Sequence, residues 1–134
     1  MWTFEQSTGR FKNDSGDVIS IGYAGKGVGK NNPAMQCVKD IGPLPIGKYT
    51  ISPPTDDKVV GLFALRLIPD PNNDMCKRSD FFIHGENPAH IGQSSDGCII
   101  LPIYIRKLIW RSGDRLLAVV TGLPPLQTYP DIQV

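Results

Sequence analysis

The sequence predicts a mainly β domain, a sandwich or a half-open barrel, with one principal α-helix near residues 102–112. Two observations lead to this fold class. Short apolar or alternating runs are separated by turn formers, with 14 glycines and 12 prolines that follow no repeat period. Only one stretch has apolar residues at helical spacing. The length fits one domain, so we expect a single domain spanning residues 1–134.

Eight segments have strand character. They are residues 2–6, 10–13, 18–23, 48–52, 59–68, 81–83, 99–101 and 115–121. Residues 7–9 and 14–16 are predicted to form the first two turns, and residues 53–57 are predicted to turn as well. The proline-rich segment after Thr121 should be loose.

The helix is predicted to begin near Pro102, because proline is favoured in the first turn of a helix. Ile105, Leu108 and Ile109 give it an apolar face at i, i+3, i+4 spacing, with Arg106 on the polar side. A glycine at position 113 should end it.

Composition excludes several partners. Hydrophobic residues make up 40% of the chain and charged residues 20%, and the net charge of +1 indicates neither nucleic acid nor an acidic membrane as partner. The longest apolar run, residues 98–105, is too short to span a bilayer. The N-terminus lacks the pattern of a signal peptide, so we expect synthesis in the cytoplasm and delivery by another route. The glycines of residues 25–33 do not have phosphate-loop spacing, and no cofactor is expected.

His84 and Cys98 are the pair that points to chemistry. A thiol at its ordinary pKa is only a few per cent thiolate at neutral pH, and a neighbouring imidazole makes it a competent nucleophile. His84 follows a short apolar strand that can hold its ring rigidly, and thirteen residues separate it from Cys98. We predict that Cys98 is the nucleophile and His84 the base, and that the thiol alkylates with a pKa below that of a free cysteine.

The glycine before Cys98 adds to this hypothesis. Gly97 removes a side chain where a substrate backbone must approach. Gly97 and Cys98 together are expected to offer two consecutive N–H groups to a tetrahedral oxyanion.

Other readings of these residues stay open. His84 could be a core histidine bonded to a backbone carbonyl, and the cysteines could be small buried apolar residues. His90, the other histidine, lies in a segment that looks like loop surface. No metal is expected, because the chain has no paired C-x-x-C or H-x-x-x-H spacing.

The sequence His84-Gly85, a loop, and then Ser95-x-Gly97-Cys98 resembles the signature of the L,D-transpeptidase catalytic domain. Other motifs extend the resemblance over roughly residues 2 to 121. They are Trp2 with Ser7-Thr8-Gly9, Gly22-Tyr23 with Gly25, Asn31-Asn32-Pro33, and residues 42–49. The fuller pattern is similar to the compact branch that type VI secretion systems deliver as antibacterial effectors.

The resemblance implies a β-sandwich-like fold and cysteine-dependent acyl transfer on peptidoglycan stem peptides. Cys98 would attack the carbonyl of the L-centre of diaminopimelate, and a terminal D-alanine would leave. The Gly85 carbonyl would orient the imidazole, Ser95 would shape the turn or bind substrate, and Ser94 and Asp96 are placed among the oxyanion- and substrate-binding residues. Water as acceptor gives L,D-carboxypeptidase action, a D-amino acid gives exchange, and a second stem gives a cross-link.

Two departures from the family pattern affect the substrate side of the site. Asp96 stands where the family often has His or Arg, and Ile100 stands where it often has Arg. An anion close to the thiolate would raise the thiol pKa, so we expect Asp96 to point elsewhere, capping the turn or holding a cation. Arg78 is assigned to the substrate carboxylate, with Lys77 and Arg106 as further candidates. The alternative for each is an ordinary solubilising charge.

The resemblance also implies a place of action and partners. The protein would act in the periplasm of a target bacterium, without membrane insertion, and an immunity protein would protect the producer. Cys37 and Cys76 could pair in that oxidising compartment if they lie within bonding reach. Two other functions remain: a wall-binding module of the same fold with altered catalysis, and a cysteine peptidase acting on proteins.

Overall fold

A computed structural model describes residues 1–122, and these contain nine strands and one α-helix. The elements are β1 (Trp2–Glu5), β2 (Arg10–Lys12), β3 (Val18–Ile21), β4 (Tyr23–Ala24), β5 (Gly47–Asp57), β6 (Gly61–Pro69), β7 (Phe82–His84), β8 (Ile99–Ile100), α1 (Ile103–Arg111) and β9 (Leu116–Val120). The predicted fold class, mainly β with one principal helix, is confirmed. No helix among the described residues is long and apolar enough to cross a bilayer. The segment expected to be loose lies, from residue 123 onward, outside the described residues.

All nine strands belong to one mixed sheet, in the order β3-β2-β1-β9-β5-β6-β7-β8-β4. β1 is parallel to β9 and β7 is parallel to β8, and the other pairs are antiparallel. The strands at the two ends of this order, β3 and β4, are joined by Gly22 alone. The sheet must therefore curl so that its two edges approach each other.

Gly22 divides the strand predicted over residues 18–23. Its N–H donates to the carbonyl oxygen of Gly9 at 2.8 Å. A Cβ at this position would lie 2.1 Å from the carbonyl oxygen of Ile100. Only glycine permits backbones to approach so closely. The chain changes partner here, from β2 to β8.

β5 is longer than predicted, because it continues through Pro53 and Pro54. The turn predicted over residues 53–57 is wrong. Proline has no N–H to donate, but the register of β5 with β9 ends at Thr50, and the bond from the Ile51 N–H to the Arg115 carbonyl on that side also comes before the two prolines. A register shift in the pairing of β5 with β6, between Ile51 and Pro54, accommodates the proline ring.

The helix α1 contacts β6 and β7 and begins directly after Pro102, as predicted. Ile105 and Ile109 are buried, whereas Leu108 is 39% exposed. Arg106, predicted on the polar side, is buried as well. Its guanidinium donates to three backbone carbonyls, at Leu62, Phe63 and Leu101. A planar head with five donors can satisfy these acceptors without a carboxylate.

Candidate active site

The parallel pair of β7 and β8 positions both predicted catalytic residues. The register aligns Ile83 with Ile99, and both side chains are fully buried. Because side chains alternate along a strand, His84 and the residue that precedes β8, Cys98, project together from the opposite face. The fold therefore brings the two ends of a long loop to adjacent positions on one surface of the sheet.

His84 has a fixed ring orientation. It is 7% exposed, and its Nδ1 lies 2.9 Å from the carbonyl oxygen of Gly85. A carbonyl only accepts, so this contact requires the proton on Nδ1 and leaves the lone pair on Nε2. Burial lowers the pKa of His84, so the ring is neutral at neutral pH. The contact is the one expected of Gly85, and the role of both residues in catalysis stays a prediction.

Cys98 is the single free cysteine of the chain and is 8% exposed. Its Sγ accepts a hydrogen bond from the N–H of Phe82 at 3.3 Å. Burial raises the pKa of this thiol to about 11, and the nearby Asp96 carboxylate adds to the rise, while the Phe82 N–H opposes it. The expectation of a lowered pKa is therefore wrong for this conformation, because a buried thiolate is poorly solvated.

Among the described residues, no hydrogen bond connects the side chains of His84 and Cys98. The two side chains open into different cavities. A cavity of about 560 Å³ is lined by His84, and another of about 320 Å³ is lined by Cys98. Asp96 lines both cavities and so marks the boundary between the base and the thiol.

The turn before Cys98 is organised by Ser95, which is fully buried. Its Oγ donates to the Cys98 carbonyl at 2.6 Å and accepts from the N–H groups of Gly25 and Gly97, at 2.8 and 3.0 Å. Ser95 thus shapes the turn, one of its two expected roles. Because the Gly97 N–H is engaged inside the turn, the expected pair of free oxyanion donors reduces to the N–H of Cys98.

Gly97 is required for a reason the sequence did not show. Its φ is +136°, and a Cβ would lie 2.5 Å from the guanidinium of Arg78 and 2.7 Å from the ring of Phe81. The absent side chain makes room for the protein's own arginine. The expectation that this space serves the substrate backbone finds no support in the geometry.

Arg78 is a buried structural residue. Its guanidinium donates to four carbonyl oxygens, at Gln36, Gly42, Pro43 and Asp96, over distances of 2.6 to 3.0 Å. Four of the five guanidinium N–H donors are thus used by backbone carbonyls, so the geometry gives little support to the predicted role as substrate carboxylate ligand, which stays a prediction. Arg106 is likewise engaged by carbonyls, and the solubilising alternative fails for both arginines because both are buried.

Asp96 holds a cation, which is one of its two expected roles, although its carboxylate stays close enough to Cys98 to raise the pKa of the thiol. Its Oδ1 lies 2.8 Å from Nζ of Lys26, and its carboxylate remains 66% exposed. The carboxylate raises the pKa of Lys26 by its hydrogen bond. Sequence reasoning had not identified Lys26, which belongs to the glycine-rich loop; the backbone bond between Gly25 and Ser95 brings that loop to the site.

Ser94 lines the His84 cavity, and in this structure its hydroxyl makes hydrogen bonds within the loop rather than facing an oxyanion. Its Oγ accepts from the N–H of Asn87 at 2.8 Å and donates to the carbonyl of His90 at 2.9 Å. The phenol of Tyr23 accepts from the Ser94 N–H at 3.2 Å and donates to the carboxylate of Glu86. Tyr23 and Glu86 were missed by sequence reasoning, because nothing in the spacing links residues 63 positions apart.

His90 is exposed, as its sequence context indicated, and lines the same cavity as His84. Within residues 1–122 no group of three or more His, Cys, Asp or Glu side chains is arranged to hold a metal ion. Lysine and carboxylate groups line both cavities, and an arginine lines the Cys98 cavity.

Cys37 and Cys76 form a disulfide with a Cα–Cα distance of 5.2 Å. The bond joins residues 36–43 to residues 75–80, the two segments that Arg78 also bridges. Lys39 and Lys77, one from each segment, line the Cys98 cavity. The disulfide thus belongs to the wall of the site, and it is the kind of bond that persists in oxidising compartments.

Comparison with known proteins gives one family and a set of partial relatives. Residues 19–121 match the family model described as the Tlde1 domain. The chain is also similar to transmembrane protein 43 of Mus musculus, with 30% identity over 124 residues, and to the protein of that name in Homo sapiens, with 28% identity. These matches cover 78% of this chain, which spans only 31% of the length of either relative. No solved structure matches.

Proposed function

Because this chain belongs to the Tlde1 domain family of type VI secretion effectors, whose activity is L,D-transpeptidase-like and directed at peptidoglycan, we propose that Cys98 and His84 carry that activity. The proposed substrate is a stem tetrapeptide that ends in D-alanine, and one domain spanning the chain acts on it. One observation supports the pair most directly. The only free thiol and a buried histidine of fixed tautomer project from the same face of one parallel strand pair.

The protonation states favour general-base catalysis over a preformed ion pair. Burial raises the pKa of Cys98 to about 11 and lowers the pKa of His84, so both groups are neutral at rest. The thiol must then lose its proton as it attacks, and the lone pair on Nε2 is available to take it. Binding of substrate would turn Sγ away from the Phe82 N–H and toward Nε2, a rotation about one side-chain bond.

The proposed reaction has two halves. Sγ of Cys98 bonds to the carbonyl carbon of the L-centre of diaminopimelate while Nε2 of His84 takes the thiol proton. The C–N bond to D-alanine then breaks, the leaving amine takes that proton from His84, and a thioester remains on Cys98. The N–H of Cys98 is the donor proposed for the oxyanion.

The second half depends on the acceptor that enters the His84 cavity. Water loses a proton to His84 and hydrolyses the thioester, which is carboxypeptidase action. The amine of a D-amino acid gives exchange, and the amine of a second stem gives a cross-link. Attack by each acceptor regenerates the thiol with the proton held by His84.

The test is incubation with purified muropeptides followed by mass analysis. We expect release or exchange of D-alanine by the native chain and none by Cys98→Ala. His84→Ala should lose the activity while His90→Ala, a matched change in the same cavity, retains it. Activity that survives Cys98→Ala, or that depends on His90 rather than His84, would refute the assignment.

A wall-binding module without turnover is the second candidate. It is favoured by the raised pKa of Cys98 and by the hydrogen bond that holds Sγ on the Phe82 N–H rather than on His84. Binding to peptidoglycan sacculi with no change in muropeptide mass would establish it. Cleavage of a protein substrate without any effect on muropeptides would instead favour a cysteine peptidase.

The antibacterial role is proposed from the same family membership. The protein would reach the periplasm of a target cell through the secretion system, and the producer would hold an immunity protein there. The disulfide supports a place of action outside a reducing cytosol. Targeting the chain to the periplasm of a test bacterium should slow growth, cytosolic expression should not, and Cys98→Ala should be harmless in both. Equal harm from Cys98→Ala would contradict a catalytic origin.

A further inference from the structure

We propose that Lys39 and Lys77 form an anion site beside Cys98 that holds the terminal carboxylate of the stem peptide. The inference rests on the proposed acyl transfer, and it assigns the substrate carboxylate to residues other than the two buried arginines. Four observations lead to it: the charge balance of the cavity, the engagement of Arg78, the geometry of the substrate and the way the two lysines are held.

The acids that line the Cys98 cavity are mostly paired with cations that lie outside its lining. Asp80 contacts Arg66 at 3.2 Å, and Asp96 contacts Lys26 at 2.8 Å. Asp40 is the remaining carboxylate of the lining. Three carboxylates and three cations line the cavity, and two of the carboxylates have an ion-pair partner outside it, so the cations of the lining are opposed by fewer acids than a simple count suggests.

Three cations line the same cavity: Lys39, Lys77 and Arg78. Arg78 contributes charge, but four of the five N–H donors of its buried guanidinium are used by carbonyls, which are neutral acceptors. The two lysines are exposed, and each has a compact ammonium group on a flexible stem. They are the groups of this cavity that can contact an anion directly.

The geometry of the reaction requires an anion site close to the thiol. The bond that breaks lies one residue from the end of the substrate, so the terminal carboxylate must lie within one residue's length of the attacked carbon, about 4 Å along the chain. The cavity that contains Sγ of Cys98 is therefore the place where this carboxylate must lie. The family often has an arginine shortly after the cysteine. This chain has Ile100 at that position, which is buried and carries no charge.

The backbone around Lys77 is held in an uncommon conformation. Cys76 and Lys77 both have positive φ, +54° and +59°, a region that residues other than glycine seldom occupy. The disulfide to Cys37 fixes this pair of residues from one side, and Arg78 fixes it from the other. Cys37 is two residues before Lys39, so the same cross-link sets the spacing between the segments that carry the two ammonium groups.

The test compares two alkylating reagents that share a reactive carbon and differ in charge. Iodoacetate is an anion and iodoacetamide is neutral, and Cys98 is the only free thiol they can modify. The quantity to compare is the rate with iodoacetate divided by the rate with iodoacetamide, normalised to the same quotient for a small neutral thiol. We expect this normalised ratio to exceed one for the native chain. It should fall about fivefold or more in Lys39→Ala/Lys77→Ala. Added salt should reduce the ratio in the native chain. Lys48→Ala, an exposed lysine on a different cavity, is the matched control and should leave the ratio unchanged.

If the double lysine variant and the Lys48→Ala control had the same ratio of alkylation rates, the proposal would be overturned. Because alkylation needs no turnover, this result is separate from the fate of the proposed function.

With muropeptides, the double lysine variant should have a higher KM for the tetrapeptide and a nearly unchanged kcat. The corresponding tetrapeptide with a C-terminal amide should show no such increase in KM. An equal rise in KM for acid and amide would also overturn the anion site. If the native chain acts on no muropeptide, the proposed function fails, and the alkylation ratio still reports on the lysines.

Discussion

The two cavities of the site are built by different means. The Cys98 side is fixed by a disulfide, by the four carbonyl bonds of Arg78 and by a glycine that lets the guanidinium pack closely. The His84 side is formed by residues 85–94 and by the tip of the β5–β6 hairpin, where Val59 is 90% exposed. Hydroxyl and carboxylate bonds among exposed side chains, such as those of Glu86, hold this second wall.

This contrast matches the chemistry proposed for each side. In the proposed reaction the donor is always the same bond of one peptide, so a fixed wall around the thiol suits it. The proposed acceptors range in size from water to a second stem, so a wall of exposed loops with weaker bonds suits them. The proposed reaction therefore places the donor on the rigid side of the site and the acceptor on the adaptable side, and four measurements test that distinction.

The largest effect is expected at the arginine of the rigid side. Arg78→Met removes donors from four buried or partly buried carbonyls, and hydrogen bonds to a charged group are worth about 1.5–3 kcal/mol each before water replaces some of them. We expect the free energy of unfolding to fall by about 3–5 kcal/mol, measured by chemical denaturation. Arg111→Met, at the exposed end of α1, should cost less than about 1 kcal/mol. Equal losses in the two variants would show that the thiol side is no more rigidly built than the surface.

The disulfide should have the next largest effect. Cys37→Ser/Cys76→Ser opens a link between residues 39 positions apart, and we expect a loss of about 2–4 kcal/mol in the free energy of unfolding. The preference of Cys98 for iodoacetate should fall in the same variant, because the segments bearing the lysines are no longer held together. A folded double-serine variant with the native preference would show that Arg78 alone sets the lysine spacing.

The third prediction concerns the pH dependence of the thiol. Burial favours the protonated form, so Cys98 should alkylate slowly at neutral pH and faster as the pH rises, with a midpoint near 11. Against a free cysteine of pKa about 8.5, this means roughly two orders of magnitude less thiolate at neutral pH. His84→Ala should leave this resting profile unchanged and abolish turnover, because the base acts only after substrate turns the sulfur. A midpoint below 8.5 that His84→Ala raises would indicate a preformed ion pair instead.

The smallest effect is expected at the boundary between the cavities. Asp96→Asn removes a carboxylate that raises the pKa of Cys98, so the alkylation midpoint should move down by a few tenths of a pH unit. Asp17→Asn, on the exposed turn between β2 and β3, should not move it. A shift of more than one unit would mean that Asp96 belongs to the thiol side rather than to the boundary.

Most of the strands could be predicted from the sequence, because alternation and turn residues are local signals. The division at Gly22 could not, since the period of two continues through it and the reason for the break is the distant carbonyl of Ile100. The continuation of β5 through Pro53 had the same kind of cause. The strand can continue through the proline because β5 is no longer paired with β9 there and is still paired with β6. No local sequence pattern indicates which neighbouring strand is paired at a given residue.

The site divides in a similar way. His84 and Cys98 could be selected as candidates from residue chemistry and spacing. The role of Arg78 and the high pKa of the thiol could not, because both follow from partners and burial that only the assembled chain supplies. Residue type gave a charge at position 78 and a nucleophile at position 98, and tertiary structure then determined what each could contact.

The parallel pairing of β1 with β9 has a consequence for the order of folding. Trp2 is aligned with Leu117, so β1, which is synthesised before the other eight strands of the sheet, finds β9 only when about residue 120 has been made. Contacts this distant in sequence slow folding, because a long loop must close before they form. Until then β1 has β2 on one edge and an unpaired edge on the other, which is the kind of edge that aggregates. A chaperone or carrier that holds the nascent chain would be most useful in that interval, before the two termini of the sheet meet.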